Sequence, residues 1–434
     1  NMSNWNISNV TDKSAFDFTF SSMNGLKVLD LSGLDVSNVT MSTTMFMNTK
    51  NVVDLKVNNW EFGDKTEFSS ISPLFMYLDH LTTLEAKEWN VPYLTSATLL
   101  FRTAFGPMYE VTTLDISGWN TPRLTIMSNL GATGSGKAIK NLKMSNWDTS
   151  KVTTMANMFG GLNNVEVLDI SGFNTSNVTD MSRMLQGMSS LKKLDISNFD
   201  TSKVTTMANM FDGLKTIDTL DVSKFNTSNV TDMSFMFHEM SNLKTLNVSG
   251  FDTSKVTDMK QMFSYMGNLE TLDLSNWIIK KDTQITKMML ETKNVAHLVL
   301  NDLDLSDHSS LATLYDNIFQ YTSLLETLEV KNWDISNITS LDSFYKKVFG
   351  APVNVTELDL SGWTTQNVID MTSLFEGANK LESINLSGWT TNNVVSLNRA
   401  FAGATELNTL DLSNWNTEDA GMTEMFIEVG NLER

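Results

Sequence analysis

The sequence predicts an α/β solenoid. It is a right-handed stack of about 16 coils, with short parallel strands on one face and short helices on the other. Two observations predict it. An aromatic residue, in most copies followed by Asn or Asp, Thr and Ser, recurs every 26 residues, from Trp147 through Phe173, Phe199, Phe225 and Phe251 to Trp277. Within each period the apolar spacing also changes, from every second residue to every third or fourth. Self-similarity at a fixed period of about 20–50 residues marks stacked supersecondary units, none of which can bury its apolar face alone.

The elements follow in order along one unit, Leu191 to Leu214. Leu194 and Ile196 are apolar and Asp195 stands between them, which is the period of a strand with one buried face. Phe199 and the turn residues Asp200, Thr201 and Ser202 come next, and their side chains can bond backbone groups that a turn leaves open. Val204, Met207, Met210 and Phe211 then fall at helical spacing, and Gly213 stands where a helix would stop. The 27 methionines concentrate in this segment and are expected to fill irregular gaps in the core.

The aromatic position extends outward from Trp5 and Leu34 to Trp389 and Trp415, giving sixteen markers without a linker. One repeat domain is therefore expected over 1–434, with irregular coils at 1–146 and 303–362 and regular coils at 147–302 and 363–434. Most of the longer intervals, such as Trp89 to Trp119 and Trp333 to Trp363, add residues before the helix Phe. Three or four extra residues amount to about one helical turn. Such insertions gather on one face, often the binding face.

These repeats resemble the 26-residue repeat of bacterial surface proteins, among the leucine-rich-repeat-like surface antigens and lipoproteins. The copies at Leu168 to Gly187, Leu194 to Gly213, Leu220 to Glu239 and Leu246 to Phe263 carry the resemblance. It implies a leucine-rich-repeat-like fold, display on the bacterial cell surface and adhesion to a host or matrix protein or glycan. It supplies no catalytic residue. Asn1 and Arg434 both fall in mid-repeat, so the chain is read as a piece of a longer exported protein whose signal and anchor lie outside it.

Composition narrows the partners. The net charge of −19 argues against nucleic acid, because phosphate binding needs a basic face. No apolar run approaches the roughly 18 residues of a membrane span, so no membrane insertion is expected. With no Cys, disulfides and thiolate metal sites are excluded. Gly131 to Ala138 matches most of a phosphate loop but lacks the Ser or Thr after Lys137 and the strand and long helix around it, so a surface loop is expected. His80, His238, His297 and His308 are spread along the chain without a nucleophile and read as scattered surface residues. No enzyme activity, cofactor or metal site is expected, and the chain is expected to act as a monomer.

The outward residue of each strand supplies the candidate binding row: Asp115, Asp169, Asp195, Asp221, Asp273, Asp359 and Asp411. Stacking would set such residues about 4.8 Å apart. Mutual repulsion would then raise their pKa values, so that stability would increase as pH falls and adhesion would vary with pH. A purely structural stalk, which spaces another domain from the cell wall, would have near-identical repeats throughout. The lengthened coils favour binding instead.

Overall fold

A computed structural model describes residues 16–38, 43–64, 74, 75, 77–106, 108–131, 136–311, 314, 318, 319, 322, 324–350, 354–430 and 432, together with 5, 7, 9 and 10. The chain divides into two compact units, Asn1–Ile217 and Asp218–Arg434. The first carries a six-stranded parallel sheet: β1 (Val28–Asp30), β2 (Asp54–Lys56), β3 (Thr83–Glu85), β4 (Thr113–Asp115), β5 (Asn141–Lys143) and β6 (Val167–Asp169). The second carries a seven-stranded one: β7 (Thr245–Asn247), β8 (Thr271–Asp273), β9 (His297–Val299), β10 (Thr327–Glu329), β11 (Glu357–Asp359), β12 (Ser383–Asn385) and β13 (Thr409–Leu410). Spatial order equals chain order in both sheets and every pairing is parallel, which is the solenoid the repeat predicts.

The strands are short because the chain turns a corner straight after each one. Asp30 accepts the amide of Ser32 at 3.0 Å, and Asp169, Asp359 and Asn385 do the same for Ser171, Ser361 and Ser387. Two further corners in each regular coil use the same bond across two residues, as at Asp148 to Ser150 and Asp180 to Ser182. A short polar side chain thus holds the backbone bent where a ladder would otherwise continue.

The Thr of the turn motif points inward. Thr149, Thr175, Thr253 and Thr391 are buried. Each donates its hydroxyl to a carbonyl of the next coil, as Thr175 does to Asp200 at 3.0 Å, and receives the amide of the same residue, here at 2.8 Å. The motif therefore recurs for stacking.

The expected helices are corrected. Among the described residues, helical backbone of more than isolated residues occurs only as two π-helical turns, Phe101–Phe105 and Tyr345–Phe349. Elsewhere the segment is a run of tight turns whose alternate amides bond the next coil: Met155 to Asp180, Asn157 to Ser182 and Phe159 to Met184, at 2.8–3.0 Å. An amide used between coils cannot also close a helical turn. The residue at the Asn157 position is moreover left-handed, with φ of 52° at Asn157, 56° at Arg183 and 57° at Asn209. A right-handed helix cannot run through such a residue. The apolar spacing nevertheless identified the core, since Met207, Met210 and Phe211 are fully buried.

Both π turns lie in lengthened coils, so the extra residues there do add a helical turn. The insertions at 65–73 and 351–353, most of 312–323, and loop positions 132–135 of the phosphate-loop-like segment lie outside the described residues.

The aromatic markers form the spine of the core. Trp60, Trp89, Trp119, Trp277, Trp333, Trp363 and Trp389 are fully buried, and Leu34 and Leu303 fill the same position. Each indole N–H donates to the carbonyl that follows the strand of the preceding coil, as Trp89 does to Val57 and Trp363 to Val330, both at 2.6 Å. The two end markers differ: Trp5 is 47% exposed, and the Trp415 indole N–H has no partner.

Candidate functional site

The strand face is where outward side chains from successive coils come into register. In the first unit the third strand position runs Asp30, Lys56, Glu85, Asp115, Lys143 and Asp169. Lysines interrupt the acids and neutralise them. Lys56 and Lys87 both lie 2.9 Å from Glu85, and Lys143 lies 4.0 Å from Asp115. In the second unit the same position runs Asn247, Asp273, Val299, Glu329, Asp359 and Asn385.

The seven predicted residues therefore do not form one contiguous acidic row. Asp115 neighbours Glu85 and Lys143, and Lys143 separates it from Asp169. Asp273 sits between Asn247 and Val299. Asp195 and Asp221 fall in coils that belong to neither sheet, and each accepts the amide of the Ser two residues on. Asp169 and Asp195 border a cleft of about 270 Å³ whose apolar wall includes Leu168, Ile170, Phe173 and Phe199. Asp359 and Asp411 share a larger groove.

That groove, about 1020 Å³, lies over β10, β11, β12 and β13. Five carboxylates line it, from Glu326, Glu329, Glu357, Asp359 and Asp411, with a single base, Lys331. Lys331 is paired with Asp359 at 3.2 Å. Among the described residues no ion pair engages the other four carboxylates. Glu326 and Glu357 escaped the sequence reading, which placed Glu329 in the outward row without counting it among the binding residues. Glu326 and Glu357 stand at other outward positions of the coil, and Glu329 is one of the non-Asp members of the row. The signal that could have found Glu357 is its place in the strand, where the central coils carry Lys193, Thr219, Thr245 and Thr271, whereas Glu326 has acidic counterparts in Glu166, Asp218 and Glu270 and does not stand out.

The pKa values of Asp169, Asp221, Asp359 and Asp411 move opposite to the expected direction. Burial pushes Asp30, Asp169 and Asp359 up, but the hydroxyl and amide of Ser32, Ser171 and Ser361 outweigh it, helped by Lys56, Lys143 and Lys331, and the net shift is down. Asp221 and Asp411 are lowered by the hydroxyl and amide of Ser223 and Ser413. For Glu85 burial is again overcome, by Lys56 and Lys87, which hold it at about 2. Hydrogen bonds to the charged form thus win over like-charge repulsion.

The stability consequence reverses as well. Groups with folded pKa values below their unfolded ones stabilise the fold above the ordinary carboxylate range and lose that contribution as pH falls through it. The melting temperature should be flat from about pH 7 to 5 and should drop from about 4.5 toward 2, the ordinary and folded values of Glu85. Thermal melts across this range check it, and Glu85→Gln should blunt the acid loss in the first unit. A melting temperature that rises on acidification would contradict this assignment.

The histidines do not converge. His80 pairs with Glu110 at 3.1 Å, His297 contacts the Thr327 hydroxyl at 2.8 Å, and His238 packs edge-on to Phe235 and Tyr265. His308 departs from the surface expectation: it is buried and bonds the Ile279 carbonyl at 2.6 Å, bridging two coils of the second unit. Among the described residues no three His, Asp or Glu side chains are grouped to hold a metal ion, and no helix is long and apolar enough to cross a membrane.

Parallel strands stacked in chain order, three polar corners in each regular coil and a buried aromatic spine define a repeat solenoid. The chain belongs to the family described as "Mycoplasma protein of unknown function, DUF285", whose pattern matches residues 1–77, 100–219, 186–302 and 345–434. No curated protein matches it. Solved structures similar to it include a Leptospira interrogans LRR protein (17% identity, 82% of this chain and 92% of that one, TM-score 0.27). An internalin from Listeria monocytogenes is another (15% identity, 80% and 88%, TM-score 0.25). A plant peptide hormone receptor, RGFR1 in complex with RGF2, is a third (12% identity, 95% and 75%, TM-score 0.32).

Proposed function

We propose that this chain is the binding solenoid of a bacterial cell-surface adhesin, which takes up a host or matrix protein or glycan on the strand face of its second unit. The groove of about 1020 Å³ over β10–β13 carries the reading, because its carboxylates face outward largely without bases. The lysine-interleaved face of the first unit suits a supporting role instead. Of the predicted residues, Asp359 and Asp411 line this groove, Asp359 paired with Lys331, and on this reading they contact the ligand. A family of bacterial repeat proteins and an acidic, cysteine-free chain are in keeping with surface display.

The test is adhesion of the chain to immobilised mucins and matrix proteins at pH 7 and 4.5. Binding to at least one of them should fall roughly tenfold or more when Glu329 and Asp359 are both replaced by Lys, which places repulsive charge where partner charges would sit. Failure to bind any of them at either pH would favour the alternative, a stalk that spaces another domain from the cell wall.

A further inference from the structure

The groove over β10–β13 is an unpartnered sheet face, and its chemistry narrows the occupant. We infer that it receives a lysine- and arginine-rich segment of a partner polypeptide, laid in extended form across the four strands. This inference rests on the binding role proposed above.

Three observations select this occupant. The first is charge. Glu326, Glu329, Glu357 and Asp411 join no ion pair among the described residues, and Lys331 is committed to Asp359. An acidic groove of this kind attracts and orients a cationic partner. The contrast with the first unit is local, because there Lys56, Lys87 and Lys143 occupy the places a basic ligand would otherwise fill.

The second is size and shape. Four strands about 4.8 Å apart span roughly 14 Å, which about four or five residues of extended chain cover. Glu329 and Asp359 are direct neighbours in register, and Asp411 lies two coils beyond Asp359. The acids are thus strung along the groove, so successive cationic side chains of one segment can each meet one.

The third is the lining. The residues between the acids are Thr, Ser, Asn and Leu or Ile, such as Thr327, Ser383 and Asn385, with no aromatic ring among them. A sugar would find no ring to stack on, while a peptide would find side-chain donors and acceptors for its backbone. The five acids are spread over three coils, two at β10, two on β11 and one beyond β13, and among the described residues no three of them are grouped to hold a metal ion.

The experiment is calorimetric titration of the whole chain with oligolysine, with oligoglutamate as control and calcium chloride as a separate arm. Oligolysine should bind, oligoglutamate should not, and affinity should fall with salt as screening shortens the reach of the charges. Glu329→Gln combined with Glu357→Gln should weaken oligolysine about three- to tenfold, the scale of a few exposed charge pairs. Lys331→Ala should strengthen it, an opposite change that a folding defect would not produce. Glu110→Gln in the first unit should leave it unchanged. Absence of oligolysine binding would overturn the inference, as would equal weakening by Glu110→Gln or saturable binding of calcium at the groove carboxylates. If matrix adhesion were nonetheless lost in the Glu329 and Asp359 lysine variant, the binding role would stand and only the basic-segment occupant would fall.

Discussion

Trp363→Ala lowers the stability of the second unit by about 3–5 kcal/mol in urea unfolding, the range of a large buried aromatic replaced by Ala. Trp363 is sandwiched between Trp333, with centroids 4.7 Å apart and planes within 10°, and Trp389 at 5.7 Å. Phe344 meets it edge-on at 5.4 Å. Its indole N–H also ties its coil to the one before through Val330. Because a solenoid coil packs chiefly on its neighbours, the cavity removes support on both sides and cannot be refilled from a distant core. Trp363→Phe keeps one stacked ring but loses the indole's second ring and its hydrogen bond, so it should cost less than Trp363→Ala while still exceeding the roughly 0.5–1.5 kcal/mol of the hydrogen bond alone. Trp415 is the internal control: its indole N–H has no partner and it stacks on one side only, so Trp415→Ala should cost clearly less. Equal losses at the two positions would show that the spine is not the source of the stability.

Thr253→Val is the second large effect, expected at about 1–3 kcal/mol although the two side chains are nearly the same shape. The buried Thr253 hydroxyl donates to the Ile278 carbonyl at 3.0 Å and accepts the Ile278 amide at 2.7 Å. A methyl in its place leaves two part-buried backbone groups without their partner, and the penalty is the desolvation of those groups. Thr257, four residues on, bonds the Thr231 carbonyl at 3.1 Å from an exposed position. Water replaces that bond when it is lost, so Thr257→Val should stay within about 0.5 kcal/mol. Urea midpoints of the two variants, compared with the parent chain, decide the point. A Thr253→Val midpoint that matches Thr257→Val would remove the buried hydroxyl ladder as the reason the turn motif recurs.

Much of the architecture was legible because stacking repeats every constraint. The buried positions of Leu84, Leu114 and Leu142, of the tryptophans and of Met207, Met210 and Phe211 all follow from the 26-residue period and its apolar spacing. The backbone at the methionine segment was not legible. Spacings of three, three and one suit a helix face equally well, and nothing in Asn209 as a letter announces a φ of 57°. Coils set about one strand spacing apart offer every alternate amide a carbonyl in the next coil. That offer is taken in place of the helical bond.

The candidate site was legible only in part. The outward position of each strand was found correctly, and Asp359 and Asp411 do reach the groove. The expectation of mutual repulsion failed at Asp169 and Asp359 because each carboxylate is held first by its own corner Ser and then by a lysine from a neighbouring coil. Sequence distance hides such a lysine: Lys331 and Asp359 are 28 positions apart along the chain and 3.2 Å apart in space.

The sequence by itself determined that this protein is a stack of coils with an aromatic and methionine core, because periodic burial is written into the order of apolar residues. It also determined which residues face outward along the strands. Only the tertiary structure decided that the second face is built of tight turns, that the first unit's acids are neutralised by lysines, and that an open acidic groove stands over β10–β13. Those outcomes depend on which residues of successive coils come into register. Small differences in repeat length and single Lys or Glu substitutions set that register chemistry, and its energies appear only once the coils are stacked.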